Sequence, residues 1–322
     1  MSVNKIVTKV DGTINKTIDF NDLASGLSAG GHTITVEAFN GATLISTQTR
    51  NFTIAAAAFE AETTSYMNAL AIPNDGTATI YTGVSGSQLW THVDELVSGL
   101  KTNALWTKLF YYYPLLGDTA ALQKYNLKDT AAYPITWFGG WVYDNKGALG
   151  NGANAYGDTG FIPSTFKDVN SNGLSIVIGT NNVPTQSDVV EAGAFNGTSQ
   201  ASIIQVKKSS SDNEIRSRMN GEISLIPNAD SRGIYTASKT SSTESVTFKN
   251  GILKSTWNSG GSLPPLESYM GNMNYNGSVY SSGYSNQRFQ GAAEHTGLTD
   301  TETQTLHSLI DTFEAGLGRK TW

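Results

Sequence analysis

The sequence predicts a mainly β protein: an antiparallel sandwich or barrel with flanking helices, preceded by a small separate β module. Three observations predict it. Two Asn-Gly turns are framed by strand-forming runs, in "NEIRSRM-NG-EISLI" and "SVTFK-NG-ILKSTW", and such a dipeptide between alternating residues marks a hairpin. Only 15% of residues are charged, against the ~25% usual in globular domains; Ser, Thr and Asn fill the gap, which suits strands and turns. Helical spacing of apolar residues is confined to the region between residues 59 and 110 and to the C-terminus. A chain of 322 residues buries roughly 75% of the surface its unfolded form exposes, so its core needs neither metal nor disulfide.

Residues 1–57 form the first module. Ile34, Val36 and Ala38 alternate with Thr33, Thr35 and Glu37 ahead of Asn40–Gly41, a hairpin dipeptide. The return strand runs from about Leu44 to Ile54, with its alternation broken as by a bulge. The order of pieces, Leu23, a glycine-rich turn at Gly26–Gly31, "HTITVEAFNG" and "STQTRNFTI", looks like the closing strands of an immunoglobulin-like sandwich. A complete sandwich takes ~100 residues, and this module has about half. It is therefore either a reduced sandwich or one that borrows strands from a partner, because an open sheet edge is an aggregation hazard.

Residues 58–118 read as a helical linker or hairpin. Phe59 to Leu70 can form a short helix before Pro73. Ser87 to Leu100 is better defined, with Leu89, Val93, Leu96, Val97 and Leu100 on one face. Asn103 is placed to cap a further helix through Trp106, Leu109 and Phe110, stopped by Pro114. The aromatic run ending in Tyr113 then docks this hairpin onto the neighbouring sheet. Residues 119–297 return to β character: Leu174, Ile176 and Ile178 alternate with Ser175, Val177 and Gly179, and Ala201–Lys207 is another strand. The turn at Asn250–Gly251 pairs Lys249 with Ile252 and Phe248 with Leu253. Residues 298–322 close with one helix. Thr299 and Glu302 form a capping box ahead of Leu306, Leu309, Ile310, Phe313 and Leu317, and Gly316 and Gly318 end it. That apolar stripe is expected to bury itself on the outside of the sandwich.

Composition excludes several functions. A net charge of −6 gives no general attraction to nucleic acid or anionic lipid. With no Cys there are no disulfides and no thiolate metal or catalytic sites. No run approaches the ~20 apolar residues of a membrane helix, and no signal peptide is recognised, so an extracellular role implies another export route or release by lysis within a particle.

At this point the pieces combine. "HVDELVSGLKTNALWTKLFYYYPLLG", "AALQKYNLKD", "GGW", "GNGANAYGDTGFIPST" and "SNQRFQGAAEHTGLTDTETQTLHSLIDTFEAGLGR" follow in order. Together they resemble phage virion structural proteins, head or tail fibre components, over roughly residues 60–322. The resemblance implies a concanavalin-like jelly-roll sandwich with flanking helices, behind a small, partial immunoglobulin-like β module. It implies helix-packing roles for Trp106 and Leu109, and a domain start at Lys124, Tyr125, Asn126 and Leu127. By the same resemblance, Asn151, Gly152 and Tyr156 look like its "NG-x-x-x-Y" turn and strand, and Gln287 and Phe289 look like part of the last sheet strand.

The residues themselves argue against catalysis. A glycosidase needs two suitably spaced carboxyl groups, and no E-x-D run supplies them on one strand face. Asp188 and Glu191 fall three apart and read as exposed or turn residues. The histidines His32, His92, His295 and His307 read as surface or packing residues, with no metal-binding H-x-x-x-H spacing. Trp137, Trp141 and Trp257 read as core or inter-sheet packing. No cofactor and no metal is expected. A binding signature is present in "YMGNMNYNGSVYSSGYSNQ", where aromatic rings interleave with amides. The candidate glycan- or partner-binding residues are Tyr269, Asn272, Tyr275, Asn276, Tyr280 and Tyr284, a Tyr/Asn/Ser/Gly-rich surface of versatile recognition type.

The expected function is a non-enzymatic virion fibre or decoration subunit. Residues 1–57 attach to other virion proteins and the jelly roll faces a host-surface glycan. Symmetric multimerisation fits weak single sites, with dimer and trimer both open because no heptad run fixes the number. The alternatives are a purely structural capsid or tail building block, a polysaccharide hydrolase, and a secreted adhesin.

Overall fold

The computed structural model describes residues 5–10, 13–19, 30–40, 43–54, 58–75, 79–81, 83–197 and 199–322. They fall into two units, Met1–Phe59 and Glu60–Trp322.

The first unit holds two antiparallel hairpins. Strand β1 (Lys5–Val10) pairs with β2 (Thr13–Asp19), and β3 (Gly30–Asn40) pairs with β4 (Thr43–Ile54). In the second hairpin the register slips between Ala38 and Phe39, whose partners are Ser46 and Leu44. The extra residue, Ile45, lies on the return strand where the broken alternation placed a bulge. The expected Leu23, most of the glycine-rich turn from Gly26, and Gly41 lie outside the described residues.

The second unit is a mainly β domain with two large sheets flanked by helices. Helix α1 (Ala61–Ala69) and α2 (Gly86–Thr102) bracket a small ladder of β5 (Thr79–Tyr81) and β6 (Val84–Ser85). The strands that follow in chain order are β7 (Leu109–Tyr113), β8 (Thr136–Phe138), β9 (Val142–Asp144), β10 (Gly147–Leu149), β11 (Tyr156–Asp158) and β12 (Asn172–Ile178). Next come β13 (Ala192–Phe195), β14 (Ala201–Gln205), β15 (Glu214–Met219), β16 (Glu222–Pro227), β17 (Gly233–Lys239) and β18 (Glu244–Lys249). The last are β19 (Ile252–Asn258), β20 (Tyr269–Met270), β21 (Asn274–Tyr275), β22 (Ser278–Val279) and β23 (Arg288–His295), followed by helix α3 (Asp300–Gly316).

The first sheet runs β19-β18-β17-β12-β23-β10-β9, with β7 also on β23; the second runs β16-β15-β14-β13-β20-β11-β8, with β21 and β22 appended. Ladders in both are antiparallel except β13 with β21. The core lies between them. Leu174, Ile176 and Ile178 of β12 and Tyr235 and Ala237 of β17 meet Ala192, Ile204, Ile215 and Met270 of the second sheet. Each of the Leu, Ile and Met side chains among them contributes about 1.5–3 kcal/mol by leaving water. Trp141 is buried in this core, and Trp137 and Trp257 pack against it partly exposed.

The Asn220–Gly221 and Asn250–Gly251 turns both have positive φ at both residues (55° and 101°; 51° and 75°), as the hairpins β15–β16 and β18–β19 require. Lys249 pairs with Ile252 and Phe248 with Leu253 as the turn dictates, but β19 is an edge strand, so Leu253 stays 42% exposed while Phe248 is enclosed. Asn151 accepts the backbone N–H groups of Ala153, Asn154 and Ala155 at 2.9, 3.0 and 3.1 Å, which shapes the turn into β11. Asn126 accepts the N–H groups of Tyr112 and Lys128, tying β7 to the loop that follows.

One expected helix is absent. After α2 the chain makes a single 3-10 turn at Trp106–Lys108 and then enters β7, so Phe110 to Tyr113 are strand residues, not helix. Asn103 caps the C-terminus of α2 instead of starting another helix. Pairing with β23 decides this. It buries Tyr111 and Tyr113 in the inter-sheet core and gives their backbone a ladder to complete.

Helix α3 carries the predicted capping box, Thr299 Oγ1 accepting from Glu302 N–H and Glu302 accepting from Thr299 N–H. Its Leu306, Ile310, Phe313 and Leu317 are buried, and it packs on α2 and β17. A buried polar chain pins it there. Gly251 N–H donates to His307 Nδ1 at 2.7 Å, so the His307 proton is on Nε2 and is donated to Thr236 Oγ1, 2.7 Å away. Thr236 O–H must then donate to Ser175 Oγ (2.7 Å), and Ser175 O–H to His295 Nε2 (2.9 Å). His295 Nδ1–H ends the chain on the Thr296 carbonyl at 2.7 Å. Every group is satisfied with both imidazoles neutral, and burial holds both pKa values near 3. His295 and His307 are thus packing residues. Among the described residues no helix is long and apolar enough to cross a membrane.

A candidate groove on the outer face of the second sheet

Alternation along β14 and β15 sets the groove. Ile204, Ile215 and Met219 point into the core, which sends Ile203, Gln205, Arg216 and Arg218 to the opposite face. The segment after β20 folds over that face. Met273 there packs with Val190 and Ile203, and Phe195 and Tyr280 lie against them. Between this cover and the arginines lies a groove of about 240 Å³ that also includes Asp188, Ile223 and Tyr275.

Its aromatic wall is Phe195, Tyr275 and Tyr280, with ring centroids 5.6 Å apart for Phe195 and Tyr275 and 5.4 Å for Tyr275 and Tyr280. Tyr275 keeps 38% of its surface exposed. The polar wall is tightly bonded. Asp188 accepts from Gln205 Nε2 and from the Tyr280 hydroxyl, each at 3.1 Å. Burial, then the Asp188 charge, raises the Tyr280 pKa, so Tyr280 remains a donor. Arg216 pairs with Asp212 at 2.8 Å and with Glu214 at 3.4 Å. The Arg218 guanidinium lies 4.3 Å over the Phe195 ring and donates to the Gly221 carbonyl.

The six residues singled out in the sequence separate. Tyr275 and Tyr280 line the groove. Asn272 is enclosed beneath it, donating to the Tyr280 carbonyl and accepting from Met273 N–H, so it holds the loop. Asn276 and Gly277, at φ 52° and 85°, form the two-residue turn between β21 and β22. Tyr269 belongs to a second aromatic cluster on the same sheet: its ring is 5.1 Å from Tyr156, which stacks on Phe138 at 4.7 Å. Tyr284 lies close enough to Tyr156 to bear on its hydroxyl. Beside them burial raises the Asp158 pKa, while the Gly160 N–H bond opposes it. Tyr269 is pushed up to about 12, by burial first and then by Asp158. Phe195, Gln205 and Arg216 are groove residues that sequence reasoning missed, although the alternation of "EIRSRM" already sets both arginines on one face.

Glu191 corrects the expectation of an exposed or turn residue. It is fully buried, accepting from Val206 N–H at 2.7 Å and from the Ser285 hydroxyl at 3.1 Å, and burial pushes its pKa up to about 7. Asp188, its neighbour in sequence, is the one that reaches the groove. Among the described residues no group of three metal-ligating side chains comes together.

No protein-family model and no curated protein matches the sequence. Among solved structures the chain is similar to domain 4 of AbnA, a GH43 extracellular arabinanase from Geobacillus stearothermophilus, in complex with arabinotriose. That match has 13% identity and a TM-score of 0.43, over 62% of this chain and 98% of that one. A mutant Trypanosoma rangeli sialidase displaying trans-sialidase activity matches at 11% identity and TM-score 0.44, over 70% of this chain. The binding domain of botulinum neurotoxin serotype D matches at 8% and 0.42, over 63% of this chain. This chain spans only 39% of the sialidase and 52% of the toxin domain. Likeness at this level assigns no function.

Proposed function

We propose that the Glu60–Trp322 unit is a non-catalytic saccharide-binding module and that the groove under Tyr275 is its site. One observation carries the proposal. A part-exposed tyrosine ring stands beside a carboxylate, an amide and a guanidinium fixed in one small concavity, the combination of aromatic wall and few placed polar groups that binding sites use. A pyranose has an apolar face for the ring and hydroxyls for Asp188, Gln205 and Arg216. Those three are already held by neighbours, so they meet a ligand pre-organised.

Hydrolysis needs two carboxyl groups across the scissile bond. The groove offers one, Asp188, and Glu191 is sealed inside the domain. A hydrolase is the second reading, and one feature favours it: Asp158, a carboxyl whose pKa burial raises, lies beside the rings of Tyr156 and Tyr269.

The remainder of the proposal rests on the sequence resemblance. We place the protein in a virion, as a fibre or decoration subunit attached through the immunoglobulin-like residues 1–57. It displays a concanavalin-like jelly roll in dimeric or trimeric form. Immunogold labelling of purified particles tests that placement; antigen found only in the lysate contradicts it.

The groove is tested on a glycan array with the full chain and Tyr275→Ala. Loss of one aromatic anchor is expected to cost about 1–2 kcal/mol, roughly 5- to 30-fold in affinity, with the circular dichroism spectrum unchanged. Release of reducing ends from a bound polysaccharide, abolished by Asp158→Asn, would establish the hydrolase instead.

A further inference from the structure

We infer that the groove is one half of an extended site, and that its ligand is an oligosaccharide of two or more units, not a single sugar. This rests on the saccharide-binding reading above. A second concavity of about 450 Å³ is lined by Pro184–Ser187 and by the serine-rich turn Lys208–Asp212. Two connections join it to the groove. Ser187, in the second concavity, is followed directly by Asp188, in the first. Asp212, in the second, holds Arg216, in the first, at 2.8 Å. The Asp212–Arg216 pair is therefore the shared wall between them.

Volume favours joint use. Ligand pockets usually measure about 300–1,000 Å³; the groove alone, at 240 Å³, falls short, and with its neighbour it enters that range. The two halves also differ in chemistry as a chain would require. The groove supplies the rings of Phe195, Tyr275 and Tyr280 for stacking. The second half is lined by polar side chains: Thr185 and Gln186, whose hydroxyl and amide are held by the Gly152 carbonyl, the serines Ser209 to Ser211, and Lys208 and Asp212 paired at 3.4 Å. Such a polar cradle matches the hydroxyl rim of a following sugar and offers no ring for its face.

The test uses the full chain in calorimetric titrations with glucose, galactose and N-acetylglucosamine oligomers of one to six units. Affinity is expected to rise about tenfold from one unit to two or three and then level. Ser210→Leu, which adds bulk on the exposed turn of the second half without a ring or a hydrogen-bonding group, is expected to remove that gain, whereas Tyr275→Ala weakens every length. Equal affinity for one unit and six, or full oligomer affinity in Ser210→Leu, overturns the extended site while Tyr275→Ala still reports the groove. The length series requires no variant, so it decides even if Ser210→Leu does not fold. Absence of binding at every length, or binding indifferent to Tyr275→Ala, overturns the saccharide reading and this inference with it.

Discussion

Replacing Glu191 with glutamine should make the domain more stable at alkaline pH, and the gain can be worked out from its surroundings. The carboxyl is enclosed, bonded to Val206 N–H, the Ser285 hydroxyl and its own backbone, and its pKa rises from 4.5 to about 7 because burial penalises the charge by more than these bonds offset. A folded pKa above the unfolded one means that the stabilisation is fully present below pH 4.5 and is lost as pH rises through 7. At about 1.4 kcal/mol per unit, the loss reaches about 3 kcal/mol at pH 8. Glutamine remains neutral throughout: its carbonyl can accept from Val206 and its amide can donate to Ser285 Oγ. The assay is denaturant or thermal unfolding of both proteins at pH 4.5 and 8, followed by tryptophan fluorescence. All six tryptophans lie beyond residue 60, so the signal reports the large unit. Stability of Glu191→Gln relative to the parent should improve by about 3 kcal/mol between the two pH values, or roughly 6–12 °C in Tm for a domain of this size. A difference that does not change with pH would refute the reasoning, because it would show a carboxyl that ionises in the fold as easily as in water.

Acid should act in the opposite direction through the two histidines. Their folded pKa values near 3 lie below the unfolded 6.5, so stability is lost as pH falls from 6.5 toward 3, at up to about 2.7 kcal/mol per unit for the pair. His307→Ala should halve that slope in pH-dependent unfolding and, by orphaning Gly251 N–H and removing the donor to Thr236 Oγ1, cost about 1–3 kcal/mol at pH 7. Ile176→Ala opens a cavity in the inter-sheet core and should cost about 2–5 kcal/mol by chemical denaturation. Gly193→Ala should cost more than about 2 kcal/mol, since Gly193 has φ +124° and an added Cβ would sit 1.9 Å from the Ser202 carbonyl oxygen; an unchanged Tm would show that the strand yields there.

What the sequence made legible is local. The hairpins at Asn220–Gly221 and Asn250–Gly251 and the Thr299–Glu302 capping box are fixed within a few residues, and they form as read. β1 and β2 carry a comparable signal, Asp11–Gly12 between alternating runs, which can be recognised only once it is looked for. β7 fails for a different reason. Trp106, Leu109 and Phe110 satisfy helical spacing, and only a ladder to β23, far along the chain, turns them into strand. The groove is harder still. Asp188, Gln205, Arg216 and Tyr275 come from four separate segments, and nothing in their spacing says that they meet. The tyrosine-rich stretch supplies the loop that covers the groove, but its letters could not tell Tyr275, which faces outward, from Asn272, whose amide is consumed in holding that loop. Glu191 was illegible because a buried carboxylic acid and an exposed carboxylate are the same letter.

The most direct test of the groove is NMR of the full chain with labelled tyrosine and phenylalanine rings, titrated with the best-bound oligosaccharide. The account predicts that shifts concentrate on Phe195, Tyr275 and Tyr280 while Phe138, Tyr156 and Tyr269 stay in place. Perturbation centred on the Phe138–Tyr156–Tyr269 cluster, with the groove rings unmoved, would contradict it.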